Sequence, residues 1–475
     1  MQVTRTIGLA GIVLLTLALS ACAVLTEDFA ALESCANDPN VKPDARIDAC
    51  SAFIRSAKSD SNNLAIAFTN RGNAYLELGG EDRAIEDFDR ALELKPDFVA
   101  ALLNRGNAYL HKRNYERAIQ DYDRVIALKA DYASAFLDRG NAYMHKGDLD
   151  RAIEDYDQAI RLKPDFAFAF QDRGKTHMLR GDRDRAIQDF DRAIALRPDL
   201  SSAYHSRGLA YAAKGDFDRA IEDYDRALAR KVANNYVEQG ALSRFFHGYE
   251  TGKGLESDAA AVLIDRAEAY LQKGDYDHAL SDCNQAIRLR ADYLSAFYFR
   301  GVSYEGQGLH ERAIQDFDQV IKADPRFAAA FASRGRSREN TGDHDGALAD
   351  YDEALRLVPR YPAALNGRCW VRATTNRDLD GALADCNESL RLRPNDAQTL
   401  DSRALVWLRT GQPDKAIADA SAALAGDPKL ASSLYVRGVA QRRRGQVQAA
   451  ELDLAAARSI EPTIDDRFAG YGMRP

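Results

Sequence analysis

Residues 65–98 read AIAFTNRGNAYLELGGEDRAIEDFDRALELKPDF, and most of the chain is this stretch written again. The unit is thirty-four residues long, with Gly72 at its eighth position, Tyr75 at the eleventh, Ala84 at the twentieth, Phe88 at the twenty-fourth, Ala91 at the twenty-seventh and Pro96 at the thirty-second. Apolar residues recur at helical spacing on both sides of Gly79-Gly80, so each unit reads as two amphipathic helices joined by a short turn. Gly72 and Ala84 mark where the helices cross closely, Tyr75 and Phe88 fill the space beside them, and Pro96 cannot continue the second helix.

This pattern of Gly, Tyr, Ala, Phe, Ala and Pro resembles the tetratricopeptide repeat, whose period is the same. Eleven copies begin at Ala65, Val99, Ala133, Ala167, Ser201, Ala260, Leu294, Ala328, Pro362, Ala397 and Ala431. The resemblance implies an all-α, right-handed superhelical solenoid in which each unit contacts mainly its neighbours. Departures are local: the eighth position becomes Ala267, Cys369 and Ala404, the eleventh becomes His177, Arg338, Arg372 and Gln441, and the ninth copy has one extra residue in its turn. A degenerate cap unit is expected over 31–64, copies one to five over 65–234, an insertion over 235–259, copies six to eleven over 260–464, and a tail over 465–475. The tail shows no amphipathic solvating helix, which leaves the last copy incompletely covered or packed on something else.

Residues 1–21 differ from all of this. Arg5 gives a positive start, Ile7 to Leu19 is apolar and too short for a membrane span, and small residues follow. This is the form of a secretory signal peptide. Its end, Leu19-Ser20-Ala21-Cys22, resembles the lipobox of bacterial lipoproteins, which implies lipidation of Cys22 and a tether over 22–30. Ala23 follows that cysteine, and by resemblance to enteric lipoproteins this points to the periplasmic side of the outer membrane. Cleavage after Ala23, giving a soluble periplasmic or secreted adaptor, is the rival reading.

The repeat serves as a ruler for the remaining cysteines. Cys369 and Cys386 fall where Gly72 and Phe88 face each other in the first copy, and Cys35 and Cys50 take the equivalent places in the cap. Disulfides Cys35–Cys50 and Cys369–Cys386 are therefore expected, in keeping with an oxidising compartment and worth about 2–3 kcal/mol each. Cys283 faces Ala267 and reads as a buried thiol.

All eleven copies carry Arg at position seven and Asp just before the large second-helix residue, as in Arg71 with Asp87, Arg105 with Asp121 and Arg139 with Asp155. An opposite-charge pair repeated this way predicts a ladder of ion pairs, within each copy or between neighbours. The competing reading, a row of arginines for a polyanion, is opposed by the aspartates and by a net charge of −8, which gives no basic field for nucleic acid.

In the resembled family, partners bind along the concave face of the first helices. The corresponding positions here include Asn73, Leu103, Asn107, Leu110, His111, Asn141, Met144, His145, Phe168 and Lys175, with Thr69, Leu76, Leu137, Gln171 and Met178. Successive Asn73, Asn107 and Asn141 form a row of amides suited to a peptide backbone. A carboxylate clamp of the kind some relatives use is absent, because Thr69, Ser134 and Asp138 stand at its basic positions. The insertion offers Phe245, Phe246 and Tyr249, either as packing at the junction or as contacts for a partner. No phosphate loop, GxSxG or HExxH motif occurs, and short-spaced metal-ligand pairs are absent. The expectation is a non-enzymatic scaffold of the bacterial envelope that binds a protein or peptide, with no cofactor, metal, nucleic acid or small-molecule substrate. A structural subunit of a larger envelope assembly is the further alternative.

Overall fold

A helical solenoid needs each copy to keep its two helices crossing at one point, and the chain does this by matching volumes. In the computed structural model, which describes residues 35, 41–56, 60–234 and 256–475, a Cβ on Gly72 would stand 2.6 Å from Cε1 of Phe88, and one on Gly140 would stand 2.7 Å from Cε1 of Tyr156. The copies that lose this glycine shrink the facing residue: Ala267 meets Cys283, Ala404 meets Ala420, and Cys369 meets Cys386. Position eight and position twenty-four therefore vary together, as close packing requires.

The turn between the helices has its own constraint. Gly79, Gly147, Gly181, Gly215, Gly274, Gly308, Gly342, Gly411 and Gly445 all stand at position fifteen with φ between 73° and 92°. That left-handed conformation is cheap only for glycine. Copy two holds Arg113 there at φ 57°, and the longer turn of copy nine uses Asn376 at 55° and Asp378 at 44°. Asp148, Asp182, Asp275, Asp343 and Asp378 then cap the second helices, each accepting from the backbone N–H three residues on.

The described residues form twenty-four helices, grouped in two compact units, 1–262 and 263–475. The first unit holds the cap helix α1 (Pro43–Ser56), then α2 (Ser61–Glu77) and α3 (Glu81–Leu94), α4 (Val99–His111) and α5 (Tyr115–Leu128), α6 (Ala133–Lys146) and α7 (Leu149–Leu162), α8 (Ala167–Leu179) and α9 (Arg183–Leu196), and α10 (Ser201–Ala213) and α11 (Phe217–Asn234). α12 (Glu256–Gln272) spans the division. The second unit continues with α13 (Tyr276–Leu289), α14 (Leu294–Gly306), α15 (His310–Ala323), α16 (Ala328–Asn340), α17 (His344–Leu357), α18 (Pro362–Thr374), α19 (Leu379–Leu392), α20 (Ala397–Arg409), α21 (Pro413–Gly426), α22 (Ala431–Arg443), α23 (Val447–Ile460) and α24 (Ile464–Gly470). Each unit is an all-α solenoid of helix pairs.

Two boundaries move. α2 begins at Ser61 and α12 at Glu256, four residues before the repeat starts at Ala65 and Ala260, so the cap and the insertion each give a turn of helix to the following copy. Cys22, Phe245, Phe246 and Tyr249 lie outside the described residues. Cys35 and Cys50 lie with their sulfurs 2.06 Å apart, and Cys369 and Cys386 at 2.05 Å; each pair is buried. Cys283 is a buried free thiol, pushed up to about 12 chiefly by burial.

The tail departs from its reading. Residues 464–470 form a helix whose Ile464 and Phe468 are fully buried, with Phe468 stacked on Tyr435 at 4.3 Å between ring centres. Gly472 in the left-handed conformation ends it, with Gly472 N–H on Ala469 O and Met473 N–H on Phe468 O, both 2.9 Å. This is a Schellman cap, whose hydrophobic partner positions are Phe468 and Met473. The order Phe-x-x-x-Gly-Met carries that signal, hidden from helical periodicity by the shortness of the helix.

Gly140→Ala tests the volume rule. It should lower the unfolding free energy by about 1–3 kcal/mol through overpacking against Tyr156. In the double variant Gly140→Ala/Tyr156→Ala the two losses should be less than additive by urea denaturation, and additive losses would refute the coupling.

Candidate peptide-binding groove

The candidate face is carried by a wall that ion pairs pin in place. In every copy the position-seven arginine forms a two-pronged pair with the aspartate of the same copy: Arg71 Nε and Nη2 reach Asp87 at 2.8 and 2.7 Å, Arg105 reaches Asp121 at 2.8 and 2.6 Å, and Arg139 reaches Asp155 at 2.8 and 2.7 Å. The same two contacts recur to Arg437 and Asp453. Ten of the eleven aspartates are buried. The third prong crosses to the preceding copy. Arg105 Nη1 reaches Asp89 and Arg139 Nη1 reaches Asp123, both at 2.6 Å, and Arg71 reaches Ser51 of the cap at 3.0 Å. Asn284, Asn387 and Ser421 take the acceptor role for Arg300, Arg403 and Arg437. The ion pairs are thus within copies, and the link between neighbours runs through position twenty-five. Arg139 is held above its ordinary value, first by its hydrogen bonds to Asp155. Its guanidinium also lies over the Phe136 ring at 5.5 Å, as Arg71 lies over Phe68.

The odd residues at position eleven join this ladder. Arg338 and Arg372 place a second guanidinium on Asp350 and Asp385, at 2.9 and 2.8 Å. His177 stands 3.9 Å from Asp189, and at the same position Trp407 donates its indole N–H to Asp419 at 3.0 Å. With these guanidiniums committed to protein carboxylates, the ladder is no polyanion site.

Neighbouring first helices touch one another within each unit, as α4 does α6 and α18 does α20, while the second helices pack on the first helices to either side. The first helices therefore line the inner face. In copies one, three and four position five is buried in that contact, at Thr69, Leu137 and Gln171, as is Leu76 at position twelve, and they offer a ligand little surface. Leu103, Leu110, His111, Met144, Phe168 and Lys175 remain half-buried along the face, and His145 is exposed. Burial lowers His111 to about 3, so it is neutral. His145 stacks on Tyr115, 6.0 Å between ring centres, so the two histidines do not form a pair. The Phe168 ring lies under Arg197 at 5.0 Å.

The asparagines are fixed by their neighbours. Tyr122 O–H donates to Asn107 Oδ1 and Tyr156 O–H donates to Asn141 Oδ1, each at 2.7 Å. Asn73 Oδ1 instead accepts from Asn104 Nδ2, also at 2.7 Å. Asn107 and Asn141 thus keep their amide N–H groups for a ligand, one copy apart. Beside them stand Asp138 and Asp172, both at position six and both half-buried. Burial, then the charge of Asp172, pushes Asp138 up to about 7. Lys175 Nζ donates to Asp172 at 3.2 Å. In the second unit the same face carries Arg336 paired with Glu305, at 2.8 Å for Nη2, and Glu339, which burial raises to about 7.

The tetratricopeptide repeat family matches residues 69–133, 172–235, 258–329, 332–397 and 403–462, and a second tetratricopeptide repeat profile matches 133–166. The chain belongs to this family, whose fold is a protein-interaction scaffold. Among solved structures it is similar to MamA (28% identity, 35% of this chain and 96% of that one, TM-score 0.32). It is also similar to a tetratricopeptide repeat protein from Parabacteroides merdae (18%, 57% and 99%, TM-score 0.42) and to YrrB, described as a repeat protein with an unusual peptide-binding site (23%, 42% and 97%, TM-score 0.31). A comparison with curated protein sequences gives no match.

Two measurements bear on this geometry. Arg139→Ala leaves buried Asp155 without its partner and should cost about 3–5 kcal/mol in urea unfolding, whereas Asp123→Ala removes a half-exposed acceptor and should cost about 0–1 kcal/mol. Equal losses would refute the division of labour. Asp138 titrates at about 7 in the folded chain, against about 3.9 when unfolded. Between those values the folded chain holds more protons, so stability falls as pH rises from about 4 to about 7 and is flat above. The melting temperature should drop between pH 5 and 7.5, and Asp138→Asn should shrink the drop; an unchanged slope would exclude Asp138 as its source.

Proposed function

We propose that this chain is a scaffold of the bacterial cell envelope, exported and lipid-anchored through Cys22 on the periplasmic side of the outer membrane, that holds an extended segment of a partner protein along copies two to four. The observation that carries the peptide reading is the pair Asn107–Tyr122 and Asn141–Tyr156. Each hydroxyl occupies the amide oxygen and leaves an N–H donor for a backbone carbonyl, repeated at the spacing of the copies. Asp138 and Asp172 between them favour a segment with basic side chains. The anchor rests on Leu19-Ser20-Ala21-Cys22, and the two buried cysteine pairs suit the oxidising compartment beyond the inner membrane.

One fractionation experiment addresses both parts. The wild-type chain should sediment with membranes and retain a crosslinked partner. Cys22→Ser should move it to the soluble fraction, and normal processing of that variant would sink the anchor. Asn107→Ala/Asn141→Ala should stay with membranes, keep its melting temperature within about 4 °C, and lose the partner at least tenfold. Unchanged capture would remove the groove from the binding role.

A further inference from the structure

Closing copy eleven needs only a cover for the outer side of α22 and α23, and Ile464 and Phe468 supply it. The segment beyond them goes further. Tyr471 meets the edge of Trp370 at 6.3 Å, and its carbonyl accepts from Arg409 Nη2. Trp370 is position nine of copy nine, and Arg409 is position thirteen of copy ten, both on the concave face and up to two copies upstream of the tail. Met473 is buried in the same apolar cluster as Leu405, Leu408 and Val439. Residues 471–473 therefore lie along the concave face, in the place that the peptide reading gives to a partner.

The fit is incomplete. Arg409 donates through Nη2 to Thr374 O at 3.1 Å and to Tyr471 O, while its Nε is buried and makes no hydrogen bond among the described residues. Among the described residues, Arg443 beside it reaches only Leu408 O, at 2.8 Å. Elsewhere in the groove Arg336 has its carboxylate, but here no carboxylate of the described residues pairs with either arginine. Tyr471 is only half-buried, and Gly472, Arg474 and Pro475 are exposed. A seven-residue helix has little stability of its own. The helix is anchored by Ile464, Phe468 and the Arg458–Asp465 pair, but beyond it the segment is held only by Tyr471, Met473 and one carbonyl on Arg409 among the described residues.

We propose that the concave face of copies nine to eleven is a second peptide site, kept closed by the chain's own segment Tyr471–Met473. A partner segment opens it by presenting an aromatic side chain, an apolar one two residues on, and an acceptor for Arg409. The proposal rests on the reading of the concave face as peptide-binding, but its test touches copies nine to eleven alone. A short tether gives the tail a local concentration in the millimolar range, so a free segment at micromolar concentration is excluded until the tail is weakened.

The experiment uses the full chain and a fluorescein-labelled synthetic peptide of residues 463–475. Tyr471→Ala/Met473→Ala should bind this peptide at least tenfold more tightly than the wild type by fluorescence anisotropy, with unchanged helical circular dichroism. Adding Arg409→Ala to that variant should weaken binding about tenfold, the loss of one charge-assisted hydrogen bond. Equal binding by variant and wild type, or none by a folded variant, overturns the proposal. Hydrogen exchange on the unaltered chain decides the matter even where the variant unfolds. The Gly472 and Met473 amides, bonded to Ala469 and Phe468, should exchange at least 100-fold faster than the core amides of α22. Equal protection would make the tail an inseparable part of copy eleven and end the proposal. Asn107→Ala/Asn141→Ala tests the first groove separately, so either site can fail without the other.

Discussion

A buried aspartate in ten of the eleven copies is the constraint on which the rest depends. Left alone, each would cost several kcal/mol of lost hydration. The position-seven arginine removes that cost with two parallel hydrogen bonds, as between Arg139 and Asp155. A guanidinium has five donors in a fixed plane, so holding two of them aims a third in one direction. That direction is the preceding copy, where Asp123 accepts. A single side chain therefore fixes the crossing of two helices and the offset between copies. Lysine could supply the charge but not the fork. The weaker acceptors Asn284, Asn387, Ser421 and Ser51 serve because this outer contact needs an oxygen, whereas the inner one needs a charge.

The same logic separates what was readable in the chain from what was not. Anything that repeats every thirty-four residues shows by comparison of copies: the helix pairs, the arginine with its aspartate, and the places of Cys369 and Cys386 against Gly72 and Phe88. Contacts between copies were harder to see. Comparison of positions within one copy gives Asp89 no partner, because Arg105 belongs to the next copy. Thr69 and Gln171 were placed on the open face, but neighbouring first helices approach closely enough to bury them. Tyr122 and Asn107 lie fifteen residues apart on different helices, so only the helix crossing brings hydroxyl to amide. The tail was least legible: its partners Trp370 and Arg409 lie in copies nine and ten, and no repeat pattern relates them to it.

Architecture and recognition use different positions of one unit. Positions seven, eight, fifteen, twenty-three, twenty-four and twenty-five are spent on the ladder, the close crossing and the turn. Position nine carries none of these duties. It holds Asn107 and Asn141 in the first unit, Lys175 beside Asp172, then Arg336 on Glu305 and Trp370 beside Tyr471 in the second. A face whose residues are free to differ, mounted on a wall whose residues are not, can change from amide to charge to aromatic without altering the fold. A solenoid built this way has no single central site. It has stretches of different chemistry, and the apolar stretch with Trp370, Leu405 and Val439 is the one that its own chain covers. Covering is also the economical state for that stretch, because Phe468, Met473 and Trp370 would otherwise leave a contiguous apolar patch facing water. The polar stretch around Asn107 and Asp138 carries no such penalty and can stand open.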